Sequence, residues 1–171
     1  MVSLSSIVRN VLTIDPSAPA LEYQQNWYSW GDLTSIIDAV EDILKKNDIG
    51  SGARIGGVLR NTPQMAAVII GTIINDRCVV TLNPALPDNK LVHDIIALKT
   101  PVIIAQSIDW ERPEIREAAR QTGALCIDIT SDPAKPVKVL FEMTGSDFHI
   151  DAKGVGIEML TSGTTGTSGS S

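Results

Sequence analysis

The spacing of apolar positions changes period several times along the chain, and each change predicts an element. Ala20-Leu21-Glu22-Tyr23 and Trp27-Tyr28-Ser29-Trp30 read as two short strands around Gln24-Gln25-Asn26, a hairpin. From Asp32, read as a cap, Leu33, Ile36, Ile37, Val40, Ile43 and Leu44 recur at helical spacing with one buried face. Lys45, Lys46 and Gly50-Ser51-Gly52 supply its stop. Arg54 to Arg60 reads as the first central strand. Asn61-Thr62-Pro63 then opens a helix to Asn75 that is apolar nearly all round, the mark of deep burial.

Three further strand-like runs follow, at 78–82, 102–105 and 125–129. A helix from Pro87-Asp88 to Lys99 and another from Pro113 to Gly123 separate them. Strands alternating with helices predict an α/β fold with a mostly parallel, doubly wound sheet and an N-terminal β-hairpin. After Thr130 the rhythm loosens. Asp132 to Pro136 reads as an exposed loop, 137–143 as a strand, 145–153 as a polar connection and 155–160 as a last apolar strand.

Composition narrows this picture. The 171 residues are 43% hydrophobic and 20% charged, enough for one ordinary core and unlike a disordered chain. The net charge of −6 argues against non-specific nucleic-acid binding, which rests on cations that neutralise phosphates. It leaves room for a phosphate site built from backbone N–H groups. The longest apolar run, 65–74, is too short for the roughly 20 residues of a membrane span. No basic stretch precedes an apolar one at the N-terminus, so the expected location is cytoplasmic. Cys78 and Cys126 sit in separate apolar runs and read as buried thiols.

Candidate chemistry concentrates after residue 160. The last strand runs into Thr161-Ser162-Gly163-Thr164-Thr165-Gly166-Thr167-Ser168-Gly169-Ser170-Ser171. By composition alone 161–171 is a flexible tail beside a 1–160 α/β unit. Yet closely spaced glycines after a strand also let backbone approach a ligand. Thr161, Ser162, Thr164, Thr165 and Thr167 would then offer hydroxyls to phosphate oxygens. No lysine follows Gly166 to make the G-x-x-x-x-G-K-[ST] phosphate loop.

The run from Leu160 to Thr167 resembles the phosphate-binding signature of adenylate-forming enzymes: acyl-CoA synthetases such as fatty-acid–CoA ligases, luciferases and peptide-synthetase adenylation domains. Tyr28 to Leu33, Gly52 to Ile55, Leu59 to Pro63 and Cys78 to Pro84 resemble further family segments in order and spacing. The resemblance runs from about Asp15 to Thr167. It implies a carboxylic-acid substrate, ATP with Mg2+, and coenzyme A as thiol acceptor. Thr161, Ser162, Gly163, Thr164, Thr165, Gly166 and Thr167 would hold the nucleotide's phosphates. The family usually has a glycine near Asp76, a proline near Thr81, and Pro-Lys-Gly after the position of Thr167, where Ser168 to Ser171 stand here.

The resulting expectation is an N-terminal piece of an acyl-CoA-ligase-like enzyme, inactive by itself and able to self-associate through surface its missing half would cover. A non-catalytic α/β scaffold, a nucleotide-binding sensor and a peptide-synthetase adenylation domain are the alternatives. Lesser features read as structural. His93 and His149 are surface histidines, and Asp147 and Asp151 a loop charge cluster. The charges at 111–117 form a solvated helix start, and Trp27, Tyr28 and Trp30 serve core packing and a covered edge.

Overall fold

A computed structural model of the chain describes residues 3–160. An 11-residue helix, α1 (Leu4–Ile14), comes first, capped by Ser3, whose side chain accepts from the Ser6 N–H. The hairpin follows as β1 (Pro19–Tyr23) and β2 (Asn26–Ser29). Its two-residue turn holds Gln24 at φ 51° and Gln25 at φ 64°. Positive φ at both central positions is the primed geometry that suits a twisted hairpin, here adopted without glycine or asparagine at either one.

Helix α2 (Trp30–Lys46) begins two residues before the expected cap. Ser29 is the true N-cap. It accepts from the Asp32 N–H at 3.1 Å, and the Asp32 carboxylate reaches back to the Ser29 N–H at 2.8 Å. Two orphan donors are thus satisfied reciprocally. Trp30, expected in the second strand, is instead the first helical residue and leans on the core.

Five-residue strands then alternate with helices: β3 (Arg54–Val58), α3 (Pro63–Ile74), β4 (Cys78–Leu82), α4 (Asp88–Leu98) and β5 (Val102–Gln106). A one-turn helix, α5 (Ser107–Trp110), precedes α6 (Pro113–Thr122), β6 (Leu125–Ile129), β7 (Val137–Phe141) and β8 (Ile157–Met159). The sheet order is β7-β6-β5-β3-β4-β8, parallel throughout except for β7, which runs antiparallel along β6. The doubly wound α/β expectation is met.

Two cores explain why. Leu12, Leu33, Leu44, Met65 and Val68 pack α1, α2 and α3 on one face against Ile55, Ile104 and Ile127. Leu91, Ile95, Trp110 and Ile115 pack α4, α5 and α6 on the other against Val80, Ile103 and Cys126. Adjacent sheet residues such as Ile103 and Ile104 serve opposite cores, so the central strands read as unbroken apolar runs. Helix α3 lies so close to α2 that a Cβ on Gly71 would meet Ile37 at 3.0 Å.

Buried charge is handled locally. Arg77 is 5% exposed; its Nη2 donates to the Ile49 carbonyl at 2.7 Å and its Nη1 to Glu41 at 2.5 Å. Asp76, before it, sits at φ 57°. That left-handed conformation gives a physical reason for glycine to be usual there in the resembled family.

Candidate functional site

In open α/β sheets a ligand usually sits beyond the carboxyl ends of the strands, where the chain leaves neighbouring strands toward opposite faces. Here that point lies between β3, which exits into α3, and β5, which exits into α5. Side chains brace it. Arg60 makes a two-pronged contact with Asp109, Nε to Oδ2 and Nη2 to Oδ1, each at 2.8 Å. Thr62, the N-cap of α3, donates from Oγ1 to Gln106 Oε1 at 2.9 Å. Asp109 is fully buried, and its hydrogen bond raises the pKa of Arg60 above the ordinary arginine value.

Arg112 extends the brace. It approaches Asp109 at 3.8 Å, bonds Asp88 through Nε and Nη2, and donates to the carbonyls of Pro84 and Leu86 at 3.1 Å. The charges at 111–117 are therefore not simply a solvated helix start: Arg112 stitches α6 to the loop between β4 and α4. That loop carries Asn83-Pro84, whose Asn83 side chain accepts from the Ala85 N–H at 2.9 Å.

An open groove of about 960 Å³ lies at the same end of the sheet, one strand further out. Leu59, Leu82, Asn83, Pro84, Met159 and Leu160 line it, with Asn89, Lys90, His93 and Asp94 of α4. Strand β8 brings Leu160 there. It pairs in parallel with β4, Val79 opposite Ile157 and Thr81 opposite Met159. The Val79 N–H donates to the Gly156 carbonyl at 2.9 Å. Arg54, 13% exposed, clamps it from the far end of β3, with Nη2 at 2.6 Å from Glu158 Oε2 and Nη1 on the Leu98 carbonyl at 3.1 Å. The strand is short and sits at the sheet edge, so this clamp is its main side-chain anchor.

All seven residues expected to bind phosphate, Thr161, Ser162, Gly163, Thr164, Thr165, Gly166 and Thr167, lie outside the described residues, as does the rest of the 161–171 segment. The structure describes the strand, β8, that precedes them in the sequence. Sequence reasoning missed the Arg60–Asp109–Arg112 brace, and it did not single out Lys90, the one lysine or arginine lining the groove among the described residues. Nothing in the local spacing marked either.

Other candidates fall out as structure. Both cysteines are buried and unpaired, as expected. Burial pushes the Cys126 thiol up to about 12 and raises that of Cys78, the reverse of a reactive thiol. His93 and His149 are exposed. Asp147 pairs with Lys99 at 2.8 Å, and the hydrogen bond from that ammonium lowers its pKa. One expectation fails: Trp27 is 64% exposed and does not pack in the core. No group of three or more His, Cys, Asp or Glu among the described residues is placed to hold a metal ion. No helix among them is long and apolar enough to cross a membrane.

The architecture is that of a doubly wound α/β domain with a glycine- and threonine-rich sequence following an edge strand. The sequence model of the AMP-binding enzymes matches residues 9–168, and the chain belongs to that family. No curated protein matches it. Among solved structures it is similar to the inhibitor-bound N-terminal domain of FACL13 from Mycobacterium tuberculosis, with 18% identity and a TM-score of 0.65 over 98% of this chain and 43% of that one. A benzoate CoA ligase from Burkholderia xenovorans LB400 follows the same fold, with 16% identity and a TM-score of 0.62 over 80% of this chain and 27% of the other. ATP-bound MatB from Rhodopseudomonas palustris does so too, with 17% identity and a TM-score of 0.58 over 81% and 30%. At these identities the likeness is one of fold. The chain spans less than half the length of each of these structures.

Proposed function

We propose that this chain supplies the N-terminal nucleotide-phosphate-binding portion of an ATP-dependent acyl-CoA-ligase-like enzyme. The observation that carries the reading is β8, a parallel edge strand on the groove wall that ends just before 161–167 in the sequence, in a chain that the family model matches over 9–168. In the proposed reaction a carboxylate oxygen attacks the α-phosphorus of ATP and pyrophosphate leaves. The thiol of coenzyme A then attacks the acyl carbon and AMP leaves. The hydroxyls and N–H groups of 161–167 would donate to the β- and γ-phosphate oxygens as charge moves onto the leaving pyrophosphate. Lys90 would add positive charge from the opposite wall. The brace of Arg60, Asp109 and Arg112 would hold the Asn83-Pro84 loop in place.

The chain spans less than half the length of the ligase structures it resembles, and catalysis needs the reacting groups held together. The 171-residue chain is therefore proposed to be inactive by itself. Two measurements test this. In ATP–pyrophosphate exchange with a panel of carboxylates it should give no signal, and acyl-adenylate formed by this chain would overturn the inactivity. In an amide-shift titration, ATP should move residues 159–167 and the groove, and adenosine should not. Equal shifts with adenosine, or unchanged ATP shifts in a Gly163→Val, Gly166→Val variant, would overturn the phosphate role.

A further inference from the structure

A second, smaller cleft lies away from the groove, between the hairpin and the loop after β6. It measures about 250 Å³. Trp27 and Tyr28 of β2, Asp32 of α2, Gln64 of α3 and Asp132 and Pro133 of the loop line it. Three observations make it unusual. Trp27 is 64% exposed, the most exposed aromatic side chain among the described residues. It shares the cleft with carboxylates and no cation: Asp32 and Asp132 line the cleft and no lysine or arginine does. Glu22 stands directly opposite Trp27 in the hairpin register, which places a third carboxylate on the same face of the ribbon.

The walls are set before any ligand arrives. Thr130 Oγ1 donates to the Lys135 carbonyl at 2.6 Å, the Thr130 N–H to the Pro136 carbonyl at 2.9 Å, and the Ala134 N–H to Asp132 Oδ1 at 2.9 Å. On the other wall Asp32 is held by its reciprocal bonds to Ser29, all made through Oδ2 and the Asp32 N–H. One oxygen of each carboxylate, Asp32 Oδ1 and Asp132 Oδ2, thus makes no hydrogen bond among the described residues.

An exposed indole face beside fixed carboxylates is complementary to a planar cation. A guanidinium stacks on an aromatic face and offers paired N–H donors, whereas an ammonium is a compact, strongly hydrated charge. We propose that this cleft receives an arginine side chain of a partner protein, its guanidinium lying over Trp27 and donating to Asp32 and Asp132. The cleft shares no lining residue with the groove, and this proposal stands or falls without the phosphate role.

The test uses the whole chain and two small probes, N-acetyl-arginine methylamide and its neutral isostere N-acetyl-citrulline methylamide. The Trp27 indole N–H and the amides of 130–132 are followed by NMR, with the buried Trp110 indole as internal control. The arginine probe should shift these signals saturably in the millimolar range and leave Trp110 unmoved. Citrulline should bind at least about fivefold more weakly. Trp27→Ala and Asp132→Asn should each weaken the arginine probe by about three- to tenfold at the Ser131 amide. Asparagine retains the acceptor for the Ala134 N–H, and the exposed Trp27 leaves no cavity, so both variants should keep the parent spectrum elsewhere. Equal binding of citrulline, unchanged affinity in both variants, or no saturable shift would overturn the proposal.

Discussion

Removing Arg60 tests whether the brace at the carboxyl end of the sheet is an energetic unit. In Arg60→Ala the fully buried Asp109 loses both of its 2.8 Å charge-assisted bonds. Arg112, at 3.8 Å, remains as its only cation among the described residues. Stripping one partner from a buried pair typically costs about 3–5 kcal/mol. Arg60 is itself 33% exposed, so water can enter where it stood, and the expected loss is toward the lower end, about 2–4 kcal/mol. For a domain of this size that lowers the thermal midpoint by roughly 4–16 °C. The assay is urea unfolding followed by far-ultraviolet circular dichroism at neutral pH. A cycle with Asp109→Asn isolates the coupling. The double variant should be more stable than the sum of the single losses implies by at least about 1.5 kcal/mol. A single-variant loss under about 1 kcal/mol, or additivity within about 0.5 kcal/mol, would refute the reasoning.

Three further outcomes are expected. Gln25→Gly relieves a left-handed residue at φ 64° and should stabilise the hairpin by about 1 kcal/mol, seen as a higher urea midpoint. The Asp147 carboxylate is held below its ordinary pKa of 3.8 by Lys99, so its contribution is present above that value and is lost as pH falls through the lower folded value. A carboxyl-carbon NMR titration should find that midpoint below 3.8, and Lys99→Met should move it upward. Cys126, with its thiol pushed up to about 12, should react with a disulfide reagent at pH 8 only as fast as the protein opens, and urea should accelerate the reaction.

The strands β3 to β6 were legible because each is a short apolar run closed by punctuation, such as Asn83-Pro84 or Gly123-Ala124. Gly123 does what its position promised, ending α6 at φ 72°. Helix α1 went unread. Its apolar residues at 4, 7, 8, 11 and 12 do recur at helical spacing, but Val8 and Leu12 of that stripe turn to the core while Ile7, Val11 and Ile14 stay exposed. Helix α5 is a single turn, too short to show any period, and with it the key position of Asp109 was hidden. Arg112 shows the same limit from the other side. A run of mixed charge looks solvated until the fold reveals that one member crosses to another helix. The order of strands was beyond pattern reading altogether, because β3 to β6 are alike in length and apolarity. Only the packing of helices on two faces decides which is central.

The position of β8 also bears on the order in which the molecule can assemble. Its partner β4 lies earlier in the chain by three intervening strands, β5, β6 and β7, and its clamp Arg54 earlier still. Contacts that close so long a loop gain little until the sheet between them exists. The edge that leads into residues 161–167 should therefore form late, on a sheet already built. Local opening should begin there too. On the proposed reading, phosphate binding after β8 would depend on a completed fold, and loosening of that edge would abolish it before the cores are disturbed.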